Sequence, residues 1–200
     1  MVRRAAMGTA RTCLLFLAVT CAAGQPDFRK AVWGMTQAQV KAMESGTPDT
    51  SSENDGERNI QYRGVRLGGL AGRAIYVFVN DRLVRAKYLF ETEHTELNDF
   101  IRDFRSVEPL LVEKYGKPAM DRAIWEDDST QLEPKSYLDQ DRATAGSILP
   151  SDPLVGLAVS LGHLRVFTQW NASRTKITHS LTGQDRRIAH QVEYRDITTR

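Results

Sequence analysis

Apolar residues alternate with polar ones in two separate blocks of this chain, and turn residues between the runs keep the alternation in phase. Such a pattern restricts the chain to antiparallel strands with one face in a core and the other in water. In the first block the spacing predicts strands over 59–67, 73–79 and 83–90. The run Gly68-Gly69-Leu70-Ala71-Gly72 turns the chain between the first two, and Asn80-Asp81 forms a tight hairpin between the last two. A two-residue loop there pairs Val77 with Val84 and Ile75 with Ala86. Ile75, Val77, Val84, Ala86, Tyr88 and Phe90 then share one face. A short strand follows at 123–126. In the second block, strands are expected over 154–170, 175–182 and 187–196. Leu164, Val166, Trp170, Ile177, Leu181, Ile188, Val192 and Tyr194 fall on one face if residues 171–174 and 183–186 make four-residue turns. Gly162 reads as a bulge in the first of these strands.

Two helices interrupt the strands. Thr36 caps the backbone of Gln39 and the Gln39 side chain reaches back, with Met35 and Val40 as the staple around this capping box. The helix runs through Ser45, turns Trp33, Val40 and Met43 inward, and stops at Gly46 with Pro48 beyond. Between Gly46 and the first strand, residues 47–58 are polar and turn-rich. A longer helix, about 95–115, carries Leu97, Phe100, Ile101, Phe104, Leu111 and Tyr115 at helical spacing. Pro109 removes one ladder hydrogen bond, so a kink or break is expected near 105–106, with Ser106 recapping. Both helices end in Gly-x-Pro and are followed by strands, which suggests two degenerate halves. The fold class expected is α+β, in the order α-βββ-α-ββββ.

The first two dozen residues stand apart. Arg3, Arg4 and Arg11 precede the apolar run from Cys13 to Cys21, and Ala22, Ala23 and Gly24 follow. This is the layout of a secretory signal peptide, read here as residues 1–24, with a single domain over 25–200. The run is too short for a permanent span, which needs about 20 apolar residues. Cleavage removes both cysteines and therefore any disulfide. It also removes three cations and no anion, so the formal net charge of +2 turns slightly negative. No general cationic surface for nucleic acid is expected. Two positions for the cut stay open. Leu17-Ala18-Val19-Thr20-Cys21 is similar to a lipobox, with Thr20 in place of the usual Gly, Ala or Ser, and there Cys21 carries a lipid tether. Cleavage near Gly24 instead leaves a free exported protein, periplasmic or extracellular.

Residues 127–153 are polar, contain Pro134, Pro150 and Pro153, and read as a long surface loop. Tyr137, Leu138, Ile148 and Leu149 are its candidate anchors for a partner. The strand registers single out one other pair: matching Leu181 with Ile188 and Ile177 with Val192 sets His179 opposite His190 on the apolar face. Two imidazoles on adjacent strands are candidate metal ligands or a pH-sensitive pair. No third ligand is evident from spacing, and two histidines at the edge of the core account for the pattern as well. No phosphate loop, G-x-S-x-G, H-E-x-x-H or calcium loop occurs, and no cofactor is implied.

The run Val32-Trp33-Gly34-Met35-Thr36-Gln37-Ala38-Gln39-Val40 resembles the Gly-Met-Thr-x-x-x-Val helix start of small exported bacterial α+β domains. These include the SmpA/OmlA (BamE) outer-membrane lipoprotein and β-lactamase-inhibitor-like modules. The resemblance covers mainly residues 28–90, with a looser echo from 95 onward. It implies a binding or assembly module rather than a catalyst. The function expected is therefore a non-catalytic cell-envelope protein that binds another protein or an envelope component. A metal-dependent protein or enzyme using the sheet histidines, and an inhibitor of a secreted enzyme, are the alternatives.

Overall fold

The computed structural model describes residues 26–54, 56–127, 129–130 and 154–198. The leader with Cys21, and the loop anchors Tyr137, Leu138, Ile148 and Leu149, lie outside the described residues. The chain runs through α1 (Gln37–Met43), β1 (Thr50–Asn54), β2 (Glu57–Leu67), β3 (Leu70–Val79), β4 (Arg82–Phe90), α2 (Leu97–Tyr115), β5 (Met120–Trp125), α3 (Val155–Ser160), β6 (Leu164–Ala172), β7 (Thr175–Gln184) and β8 (Arg187–Asp196). The class is α+β. The two expected helices and seven expected strands are present in order, with β1 and α3 added.

All eight strands join one antiparallel sheet in the order β1-β2-β3-β4-β8-β7-β6-β5. A helix followed by four strands occurs twice, with α3 inserted in the second copy. The fourth strands of the two copies, β4 and β8, meet at the centre. The helices pack on one face and share two apolar clusters with it. One gathers Phe28, Trp33, Val40, Tyr76, Phe78, Leu111, Trp170 and Ile177. The other gathers Ile101, Phe104, Val155, Val159, Leu164, Val166 and Leu181. The opposite face carries none of the described helices.

The capping box at Thr36 forms as expected: Thr36 accepts from the Gln39 backbone, and the Gln39 side chain accepts from the Thr36 N–H at 2.9 Å. Ahead of it, residues 27–35 clasp both halves. Gly34 donates to the Leu83 carbonyl and Leu83 donates to that of Met35, both at 2.9 Å. Asp27 accepts from the Trp33 backbone and from Arg174 Nε, again at 2.9 Å each. Arg29 donates to both oxygens of Glu44, whose other partner is the Tyr76 hydroxyl. Burial alone would raise the Glu44 pKa, but those donors outweigh it and hold the carboxyl below its usual range. Phe28, between the two ion-paired residues, is enclosed by Tyr76, Tyr88 and Tyr194 at centroid distances of 5.3, 4.8 and 5.0 Å.

Several expectations are corrected. Residues 155–160 form α3 rather than the start of a long strand, and Gly162, at φ +79°, ends that helix instead of making a bulge. Residues 50–54, expected as turn, add an edge strand. α2 runs unbroken past Pro109, and Ser106 donates to the Asp103 carbonyl rather than recapping. Both C-terminal turns hold two residues, not four: Ala172 pairs with Thr175, and Gln184 with Arg187. Because four and two are both even, every apolar residue of that block keeps its face.

In the first block the parity fails. The Asn80-Asp81 turn pairs Val79 with Arg82, both turn residues adopting the positive φ that such a hairpin needs. An extra residue at Val84 then shifts the register, so that Tyr76 pairs with Ala86 and Val77 with Arg85. Tyr76 and Phe78 face the helices. Ile75 and Val77 face the other side of the sheet.

Backbone comes close to backbone where α3 crosses β7. A Cβ on Gly183 would lie 2.0 Å from the Val159 carbonyl oxygen. The Gly183→Ala variant must therefore lift α3 off the sheet, a loss of about 3 kcal/mol and of about 6–12 °C in Tm. Thermal unfolding followed by circular dichroism reads this, and an unchanged Tm would show that α3 is not held against β7.

Candidate functional site

The inner sheet face carries one row of polar side chains across four strands. Asp121 pairs with Thr168, Thr168 with His179, and His190 lies diagonal to His179 on β8. Here the expected register is corrected: Leu181, not His179, stands opposite His190. The two-residue turn moves the pairing by two positions, so the histidines stay on one face but one step apart. Their Nε2 atoms are nevertheless 2.8 Å apart. One ring donates and the other accepts, so only one proton lies between them.

The pair sits where the two apolar clusters meet. The His179 ring stacks on Phe104 with centroids 3.8 Å apart, and that of His190 lies tilted against Phe90 at 4.2 Å. His179 is 0% exposed and His190 3%. Burial disfavours the imidazolium, so both pKa values fall: His179 far below its ordinary value with a smaller contribution from His190, and His190 to about 3 with a smaller contribution from His94. The second nitrogen of His179, Nδ1, has no hydrogen-bond partner among the described residues.

At the other end of the row, the Thr168 hydroxyl donates to Asp121 at 2.9 Å and lies 3.5 Å from Glu108 of α2. Burial raises the pKa of both carboxyls, and for Glu108 the nearby Asp121 adds to the rise. The sequence reading missed Glu108 and Asp121. Their signal is an acidic residue on the inward parity of β5 and on the sheet side of α2, visible only once the strand registers are known. Among the described residues no group of three or more His, Cys, Asp or Glu is close enough to hold a metal ion. The two histidines are brought together as a buried neutral pair that a substrate cannot reach.

The outer face offers an open concavity. Ile75 and Val77, 7% and 8% exposed, form the floor of a groove of about 260 Å³. Glu57, Asn59, Gln61, Arg85, Lys87 and Glu193 rise around them. Arg85 donates to Glu57 at 2.6 Å, and Lys87 to Gln191 at 3.2 Å. Asn59 Oδ1 is buried without a hydrogen-bond partner among the described residues. Apolar floor and polar rim together are what a surface offers to a side chain or backbone from outside.

Comparison with family models, with curated proteins and with solved structures finds no match for this chain.

Proposed function

We propose that this chain is a non-catalytic binding module of the bacterial cell envelope, docking another protein or an envelope component on the open face of its sheet. The observation that carries this reading is the groove over Ile75 and Val77: the sheet face without any of the described helices holds apolar side chains ringed by both signs of charge. The burial of the histidine pair favours the same reading over an enzyme, because these two strongly perturbed titratable groups are sealed between two apolar clusters. The leader supports export, and the helix start at Gly34–Val40 supports kinship with envelope binding modules.

In-cell cross-linking followed by mass spectrometry tests this. A reproducible envelope partner is the expected result. The reading falls if no partner is captured and the purified chain turns over a hydrolase substrate. It also falls if the chain holds stoichiometric metal that His179→Ala removes. The same spectra read the amino terminus: a lipid on Cys21 assigns a tether, and an unmodified start near Gln25 a free chain.

A further inference from the structure

On the outer face, three cations stand directly opposite one another on adjacent strands. Arg85 of β4 pairs with Arg195 of β8, and Arg195 pairs with Lys176 of β7. Neighbouring strands lie about 4.8 Å apart, so the three positions span about 10 Å. Lys87 lies one step along β4 on the same face. Like charges directly opposite each other destabilise a sheet. Nothing in the core requires them, since all of these side chains project away from the helices.

The compensation inside the chain is incomplete. Arg85 meets Glu57, and Arg195 meets Glu193 at 3.3 Å with its side chain 53% exposed, a pairing that contributes little in water. Lys176 has no ionic or hydrogen-bonding partner among the described residues. The row therefore carries surplus positive charge on a chain whose mature sequence is close to neutral.

The row continues toward the groove: Arg85 pairs with Val77, and Val77 with Asn59. A partner on the cations thus also covers the apolar floor and reaches the unpartnered Asn59 oxygen. That oxygen needs a donor. Glu57 and Glu193, on the same face, repel a uniformly anionic surface. Phosphate oxygens only accept, whereas a polypeptide brings carboxylates for the row, N–H groups for Asn59 and a side chain for the floor.

We infer that the row Arg85–Arg195–Lys176, with the adjoining groove, docks an acidic segment of a partner protein. This rests on the binding-module reading and names the chemistry of its partner. The site was not visible from composition, because the charge surplus is local to one face.

The test uses the full exported chain and a labelled glutamate-rich peptide, read by fluorescence anisotropy. The double variant Lys176→Glu/Arg195→Glu is expected to bind at least about tenfold more weakly than the natural chain. Reversing two cations off this face, Arg102→Glu/Lys117→Glu, is expected to leave binding within about twofold. Equal losses in both variants, or no loss in the first, overturn the assignment. Tighter binding to anionic phospholipid vesicles than to the peptide overturns it too. The cross-linked partner separates the two levels. If the natural chain and Lys176→Glu/Arg195→Glu capture it alike, the docking row is wrong and the module reading stands. If neither captures a partner while the peptide still selects the row, the module reading is what fails.

Discussion

Acid is expected to unfold this protein earlier than its carboxylates alone would allow. His179 and His190 are neutral and buried at neutral pH, and their pKa values in the folded chain lie below the ordinary value near 6.5. The unfolded chain therefore binds more protons between that value and about 3, and stability falls as the pH drops through this window. At 1.36 kcal/mol per pKa unit, His190 alone removes roughly 5 kcal/mol, a large share of the 5–15 kcal/mol that holds a typical domain. Glu108 and Asp121 act in the opposite sense. Their raised pKa values mean that the folded chain takes up protons first, which offsets part of the loss at the acid end. Of the other ionisable groups nearby, His94 pairs with Asp103 at 2.7 Å. Urea unfolding from about pH 8 down to about pH 5 should show stability falling steadily below about pH 6.5. In His179→Leu/His190→Leu that slope should be largely gone. If the slope persists, the buried pair is not its source. Ring proton signals of the natural protein give a second reading, since neither of these two histidines should titrate in the same range.

Removing the Phe28 ring should be the most damaging single truncation near the amino terminus. The residue is 1% exposed and enclosed by three tyrosines, yet it belongs to a clasp and not to a helix or strand. Phe→Ala at such a site costs about 3–5 kcal/mol, here a Tm lower by about 10 °C or more. The clasp cannot settle into the space, because Asp27 and Arg29 on either side are fixed to Arg174 and Glu44. The cavity left is apolar on most sides, so a small aromatic solute such as benzene should recover part of the Tm. Phe28→Leu should lose far less. A loss no larger than that of an exposed substitution would mean that residues 27–35 are not part of the core.

The second block was legible because its strands alternate cleanly. Leu164, Val166, Trp170, Ile177, Leu181, Val192 and Tyr194 reach the core whether the turns hold four residues or two. The first block misleads because Ala74-Ile75-Tyr76-Val77-Phe78-Val79 is apolar at both parities, so the pattern alone cannot say which set faces the helices. The bulge at Val84 and the bulk of Tyr76 and Phe78 decide it, and Ile75 and Val77 go to the groove instead. Gly156 and Ser160 hid α3 within an apolar run that reads equally as strand or helix. The histidine pair was found from parity. The carboxylates beside Thr168 and the cation row needed registers between strands far apart in sequence, and periodicity within one strand does not carry that.

The placement of β8 bears on how the chain is made. Of the described strands, the last in sequence is not an edge of the sheet but its middle, closing on β4 through pairs such as Arg85 with Arg195. Until it arrives, the first half presents β4 as a bare edge and the second lacks its inner neighbour, the condition in which strands pair with the wrong chain. Contacts so distant in sequence form slowly. A nascent chain of this design is thus a natural client for a holding chaperone. Clipping it within β8 parts the molecule down its centre, whereas losing β1 trims only the margin.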